Sequence, residues 1–178
     1  FAKVNERSSA LNVSSVARDL LHRLGRPGLV VCTRKVDTRL LARALVDGLE
    51  PLEDDDIKSV ADGILQRYPY LDLLVNCLRR GIAYHNASLP YDVRRDVERL
   101  TRARKLAVVC ATTTLAEGAD LPFRWTIVSH WLMADGTRMK SMTFRNIAGR
   151  CGRAGAFSEG DTILFENLMG PPSMNMQQ

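Results

Sequence analysis

The sequence predicts an α/β domain built on a mostly parallel sheet, and three observations carry that prediction. Short, continuous apolar runs such as 28–32 (GLVVC) and 106–111 (LAVVCA) suit strands buried on both faces. These runs alternate with segments of helical spacing, the order that builds a parallel sheet covered on both sides. One stretch, 51–80, carries helical spacing alone and reads as an insertion into the alternation.

The elements follow in order. Residues up to Asn12 show no apolar period, so 1–12 reads as a flexible stub and 13–166 as the structured domain. Ser14 or Ser15 is placed to cap a first helix with Val16, Leu20, Leu21 and Leu24 on its apolar face, ended by Gly25 and Pro27. The 28–32 strand leads into a helix over 36–49, half of a βαβ unit. In the insertion, Glu53, Asp54, Asp55 and Asp56 stand where acidic residues favour a helix N-terminus. Apolar residues then recur at Ile57, Val60, Ile64 and Leu65, and again at Leu71, Leu74, Val75 and Leu78. Alternation resumes with a strand at 82–85 (IAYH), a charged helix at 91–101, a central strand at 106–111 and a strand at 125–129. A helix at 142–148 and a last strand at 162–165 complete the series. The tail, 167–178, has no pattern.

The 178 residues are the length of one domain with an insertion, and 46% hydrophobic against 25% charged residues is an ordinary globular balance. The net charge of +5, carried mainly by Arg, fits a polyanionic partner. Cys32, Cys77, Cys110 and Cys151 are scattered without metal-ligand spacing. They read as reduced thiols in a cytoplasmic protein, or a nuclear one in a eukaryote, with neither disulfide nor zinc. No apolar run is long enough to span a bilayer. A start at Phe1 and a loose GPPSMNMQQ end lead us to expect a piece of a larger protein.

Ligands of open parallel sheets bind beyond the carboxyl ends of the strands, which directs attention to 33–34, 85–87, 112–122 and the stretch before the last strand. The most informative segment is 146–155 (NIAGRCGRAG). Arg150 and Arg153, three residues apart, share one face of a helical turn, and small neighbours allow close approach of a phosphate. Such a pair suits the charge that develops on a transferring phosphoryl group. On spacing alone, a glycine-rich turn with solvated arginines is the simpler explanation. The second segment, 111–122 (ATTTLAEGADLP), offers hydroxyls for backbone phosphates, a tight turn at Gly118 and an acceptor for a sugar hydroxyl at Asp120.

Together these segments resemble motifs VI and V of superfamily 2 helicases. Motif VI there runs Q/H-x-x-G-R-x-G-R, matched by Gly149, Arg150, Gly152 and Arg153, with Asn146 in the Gln/His place. GLVVCTRK resembles motif IV. RGIAYHNASLPYDVRRDVE resembles the G-I-x-x-H-H-A-G-L segment of the superkiller-type DExH branch, with Asn86 and Ser88 replacing His and Gly, and Thr113 standing where many relatives have an acidic residue. The resemblance implies a three-layer RecA-like domain, the C-terminal motor domain of such a helicase. It implies arginine fingers at Arg150 and Arg153, nucleotide contacts from Gly118, Asp120, Asn146 and Gly149, and nucleic-acid contacts from Thr33, Arg34, His85, Thr112 and Thr114. The sequence has no GxxxxGK[ST] loop and no Asp-Glu dipeptide. ATP and Mg²⁺ would therefore be held mainly by an N-terminal RecA-like domain absent from this chain, and DNA or RNA would be the polymer gripped. The chain alone would not hydrolyse ATP. A different class of protein, a non-catalytic nucleic-acid-binding module, could use Gly149–Gly152 as a GxxG clamp, although that loop falls late in the chain for such a module.

For the arginines 94, 95, 99, 102 and 104, a solvated helix face paired with Asp92, Asp96 and Glu98 is the simplest expectation. His130 reads as packed or capping rather than catalytic.

Overall fold

The computed structural model describes residues 6–113, 115, 121, 123–130, 137–149, 151 and 160–164. Its chain order is α1 (Glu6–Leu24), β1 (Gly28–Cys32), α2 (Lys35–Val46), α3 (Asp55–Arg67), a 3-10 turn (Pro69–Leu71), α4 (Asp72–Leu78), β2 (Ile82–His85), α5 (Tyr91–Arg102), β3 (Val108–Thr112), β4 (Trp125–Val128), α6 (Ser141–Ala148) and β5 (Asp161–Leu164). Five parallel strands lie in the order β2-β3-β1-β4-β5. Every residue of β1 to β4 is buried, which is why those strands read as apolar runs without alternation. At the sheet's edge β5 is only half-buried, and it is correspondingly the most polar.

The first helix begins eight residues before Ser14. Its buried stripe is Val13, Ala17 and Leu20 at helical spacing, while Leu11, two residues before Val13, points away and is exposed. Among the described side chains before Val13, Leu11 and Asn12 are exposed, so this part of the helix carries no apolar period to read. Ser14 is inside the helix, its hydroxyl donating to the Leu11 carbonyl at 2.9 Å. The helix stops at Gly25, whose φ of +81° is the left-handed conformation of a helix C′ position. From α1, the Arg18 guanidinium reaches the last carbonyls of α2, donating to Ala44 at 2.7 Å and past the helix end to Asp47 at 2.7 Å. It thus satisfies acceptors that no helical N–H can reach.

The 51–80 segment is helical throughout its two predicted parts. Asp54 caps α3 by accepting from the Ile57 N–H at 3.0 Å. Ile57, Ala61 and Ile64 face inward against Leu74, Val75 and Leu78 of α4. The insertion is clamped to α5: Arg99 forms a two-pronged pair with Asp56, both bonds 3.0 Å, and Lys105 holds Asp54 at 2.9 and 3.0 Å. Arg67 engages Asp92 and, at 3.2 Å, Asp96, while the Tyr68 hydroxyl donates to Asp92 at 3.0 Å. Among the described residues, no helix is long and apolar enough to cross a membrane.

Candidate functional site

Because the strands are parallel, their carboxyl ends share one edge. Cys32 pairs with Thr112, His85 with Ala111, and Val31 with Val128. Thr33 and Arg34 after β1, His85 and Asn86 at the end of β2, Thr112 closing β3, and Ser129 and His130 after β4 therefore all fall at one edge of the sheet, its carboxyl rim. Arg34 stands at the start of α2 and is oriented by Asp37, donating through Nε at 2.9 Å and Nη2 at 2.8 Å. Ser129 ties β4 to β1, its backbone N–H and its hydroxyl both donating to the Val31 carbonyl at 2.9 Å. His130 Nδ1 lies 3.0 Å from that hydroxyl, and burial lowers its pKa. The Cys32 and Cys110 thiols beneath the rim are raised far above the ordinary thiol range by burial. Cys77 is pushed up to about 12 for the same reason. These are inert packing thiols rather than nucleophiles, and all four cysteines are free.

His85 is beneath the rim rather than on it, only 5% exposed. Its Nε2 lies 3.0 Å from Glu98 Oε1 on α5, and its Nδ1 is buried without a hydrogen-bond partner among the described residues. The next residue, Asn86, is fully buried and donates to the Thr38 hydroxyl at 2.9 Å, while its carbonyl oxygen accepts from the Ser88 N–H at 3.0 Å and from the Ser88 hydroxyl. Asn86 and Ser88, two of the departures from the helicase pattern, thus form one closed turn that joins β2 to α2. Asn86 was not singled out as a site residue. Its signal was the Asn-x-Ser spacing, which favours a side-chain-to-backbone turn.

The His85 site has a measurable pH signature. Burial lowers the His85 pKa, as does the Arg94 charge, against the hydrogen bond and charge of Glu98. The folded imidazole stays neutral while the unfolded one, with a pKa of about 6.5, takes up a proton. Stability from His85 is therefore complete above about pH 6.5 and is lost as pH falls toward the folded value. His130 contributes with the same sign. We expect the urea midpoint to fall between about pH 7 and pH 5, and His85→Gln to flatten that fall. Parallel curves for wild type and variant would remove His85 from the effect.

Phe123, just past the segment that resembles motif V, and Cys151, within the one that resembles motif VI, meet at the other end of the sheet. Phe123 forms a parallel β-bridge with Cys151 just before β4 begins, at the amino-terminal end of that strand. Leu115, Leu121 and Phe123 are buried, anchoring the chain between β3 and β4. The Cys151 thiol donates to the Thr126 hydroxyl at 2.8 Å and accepts from the Thr162 hydroxyl at 3.7 Å, so it stitches the end of α6 to β4 and β5. Burial raises its pKa. This role was missed in the sequence, where Cys151 counted only as a scattered thiol. Asn146 and Gly149 are exposed on and just after α6. Thr114, Gly118, Asp120, Arg150 and Arg153 lie outside the described residues. The carboxyl-end expectation thus places Thr33, Arg34, His85 and Thr112 together, whereas Phe123 and Cys151 meet at the opposite end. Among the described residues, no three His, Cys, Asp or Glu side chains gather as a metal ion would need.

The expected pairing of the α5 arginines within their own helix does not form. Asp92 and Asp96 are taken by Arg67 of α3, and Glu98 by His85. Arg99 pairs instead with Asp56 of the insertion.

A five-stranded parallel sheet with helices on both faces and a helical insertion before the edge strand defines a three-layer RecA-like domain. Over 177 residues, 95% of its length, the chain is 32% identical to the ATP-dependent DNA helicase Hel308 of Pyrobaculum calidifontis, and covers 24% of that protein. It is 32% identical over 165 residues to the protein of the same name from Thermoplasma acidophilum, matching 90% of this chain and 23% of the relative. A Helicase POLQ-like protein of Caenorhabditis elegans is 40% identical over 93 residues, 52% of this chain and 10% of the relative. No family model matches. The chain belongs to the superfamily 2 helicases, as a C-terminal RecA-like domain, and spans about a quarter of the length of the two Hel308 relatives.

Proposed function

We propose that this chain is the second motor domain of an ATP-dependent DNA helicase, of the superkiller-type DExH branch, and that it acts on two fronts. Arg150 and Arg153 reach across a cleft to a triphosphate held with Mg²⁺ by a first RecA-like domain of the same protein. Gly118, Asp120, Asn146 and Gly149 complete the nucleotide's surroundings. At the carboxyl rim, Thr33, Arg34, Thr112 and Thr114 grip the nucleic-acid backbone, with Arg34 oriented by Asp37 and His85 fixing the β2 loop from beneath. Contacts directed at phosphates imply little base preference and strong salt dependence.

The observation that carries this reading is the Phe123–Cys151 bridge. Cys151 follows Arg150 directly in sequence, and Phe123 follows Asp120 by three residues. One backbone pairing thus draws together the flanks of both nucleotide segments, and it does so away from the rim assigned to nucleic acid. The insertion between α2 and β2 and the His85–Leu89 loop support the DExH branch.

The test is an ATPase assay on two samples. The full-length protein hydrolyses ATP faster with single-stranded DNA than without it, and the purified chain alone gives no turnover above blank. Metal-dependent hydrolysis by the chain alone contradicts the split site.

A further inference from the structure

We propose that Tyr91, with Arg94 and Arg95, is a stacking site for a base of single-stranded nucleic acid, extending the strand's path past the edge strand β2. The proposal rests on the nucleic-acid reading of the carboxyl rim. Tyr91 opens α5 six residues after His85, on the same side of the sheet as the rim and next to its outermost strand. The residue is 68% exposed, which leaves most of its ring open. The Arg94 and Arg95 guanidinium carbons lie 5.7 and 5.9 Å from the ring centroid.

Charge selects the occupant. Arg67 and Arg99 on this surface are each matched to carboxylates, at Asp92, Asp96 and Asp56. Arg94 and Arg95 form no ion pair among the described residues, yet they crowd one ring. A phosphate beside this ring would meet two positive charges that no carboxylate among the described residues offsets. Asp92, the acidic neighbour that would repel a phosphate, is engaged by Arg67 and the Tyr68 hydroxyl. No side chain caps the α5 N-terminus, where Pro90 stands, so the helix's positive end adds to the field. An open aromatic face beside unmatched arginines is the arrangement by which single strands are held without regard to sequence. Tyr70 of the insertion, also 68% exposed, packs edge-on at 6.0 Å against Tyr68, whose hydroxyl bonds to Asp92 next to Tyr91.

The test is fluorescence anisotropy of a labelled oligodeoxythymidylate with the full-length protein across a salt series. Tyr91→Ala is expected to weaken binding about ten-fold, the loss of one base–aromatic stack. Tyr91→Phe retains wild-type affinity, because the ring and not the hydroxyl does the binding. Arg95→Ala lowers the slope of log affinity against log salt by about 0.7, one phosphate contact on a single strand. If the wild-type protein does not bind the oligonucleotide, the helicase reading falls. If it binds and Tyr91→Ala and Arg95→Ala both match it at every salt concentration, this site alone is overturned, whatever else covers the patch.

Discussion

Arg153→Ala in the full-length protein is expected to lower kcat for ATP by about 10³-fold while leaving ATP affinity close to wild type. The split follows from what an arginine finger does. Its guanidinium meets charge that builds up on the transferring phosphoryl group, and that charge is largest in the transition state. On the proposed split site, the nucleotide's own affinity would come chiefly from the first domain's contacts to phosphates and Mg²⁺. Arg153→Lys rescues little, since a point charge on a flexible stem does not reproduce a planar fork. Steady-state hydrolysis combined with equilibrium binding of a labelled nucleotide separates the two effects. Turnover near wild type removes Arg153 from the role, and equal losses in affinity and kcat make it a binding residue instead.

Most of the fold was legible because of how parallel sheets are covered. β1, buried at every position, could only be written as GLVVC or something like it. The insertion was legible for the opposite reason, its apolar residues returning every third or fourth place between acidic and basic ones. The start of α1 was not legible, because the sequence before Val13 carries no apolar pattern. The segments that resemble motifs V and VI were visible in sequence, but not the backbone pairing beside them. The Phe123–Cys151 bridge joins segments 28 residues apart in sequence, a distance at which no local rule applies. Ion pairs fail in the same way. Rules of helical spacing pair the α5 arginines with Asp92 and Asp96, but Arg67, which is 25 residues before Asp92, takes both carboxylates. That exchange is what leaves Arg94 and Arg95 to Tyr91.

Gly28→Ala is expected to be the most disruptive small substitution in the sheet. A β-carbon at Gly28 would lie 2.0, 2.2 and 2.3 Å from Cζ2, Cη2 and Cε2 of Trp125, its register partner on β4. The indole cannot step aside. It is fully buried, and its Nε1 donates to the Gly25 carbonyl at 2.8 Å, which holds the ring across the start of β1. Either the ring leaves its pocket or β1 and β4 separate. Overpacking of this kind costs about 3 kcal/mol or more, a large share of a domain's marginal stability, and lowers Tm by roughly 10 °C for a domain of this size. Trp125→Leu opens the space, so the double variant is expected to lose less than the sum of the two single losses, the signature of a shared contact. An unchanged Tm for Gly28→Ala would refute the packing of the indole over β1. The consequence extends beyond stability. The Gly28–Trp125 pairing sets the register in which Val31 meets Val128 and Ser129 bonds back to β1. The same substitution that crowds the amino-terminal end therefore misaligns the carboxyl rim, and single-strand affinity is expected to fall even at temperatures where the domain remains folded.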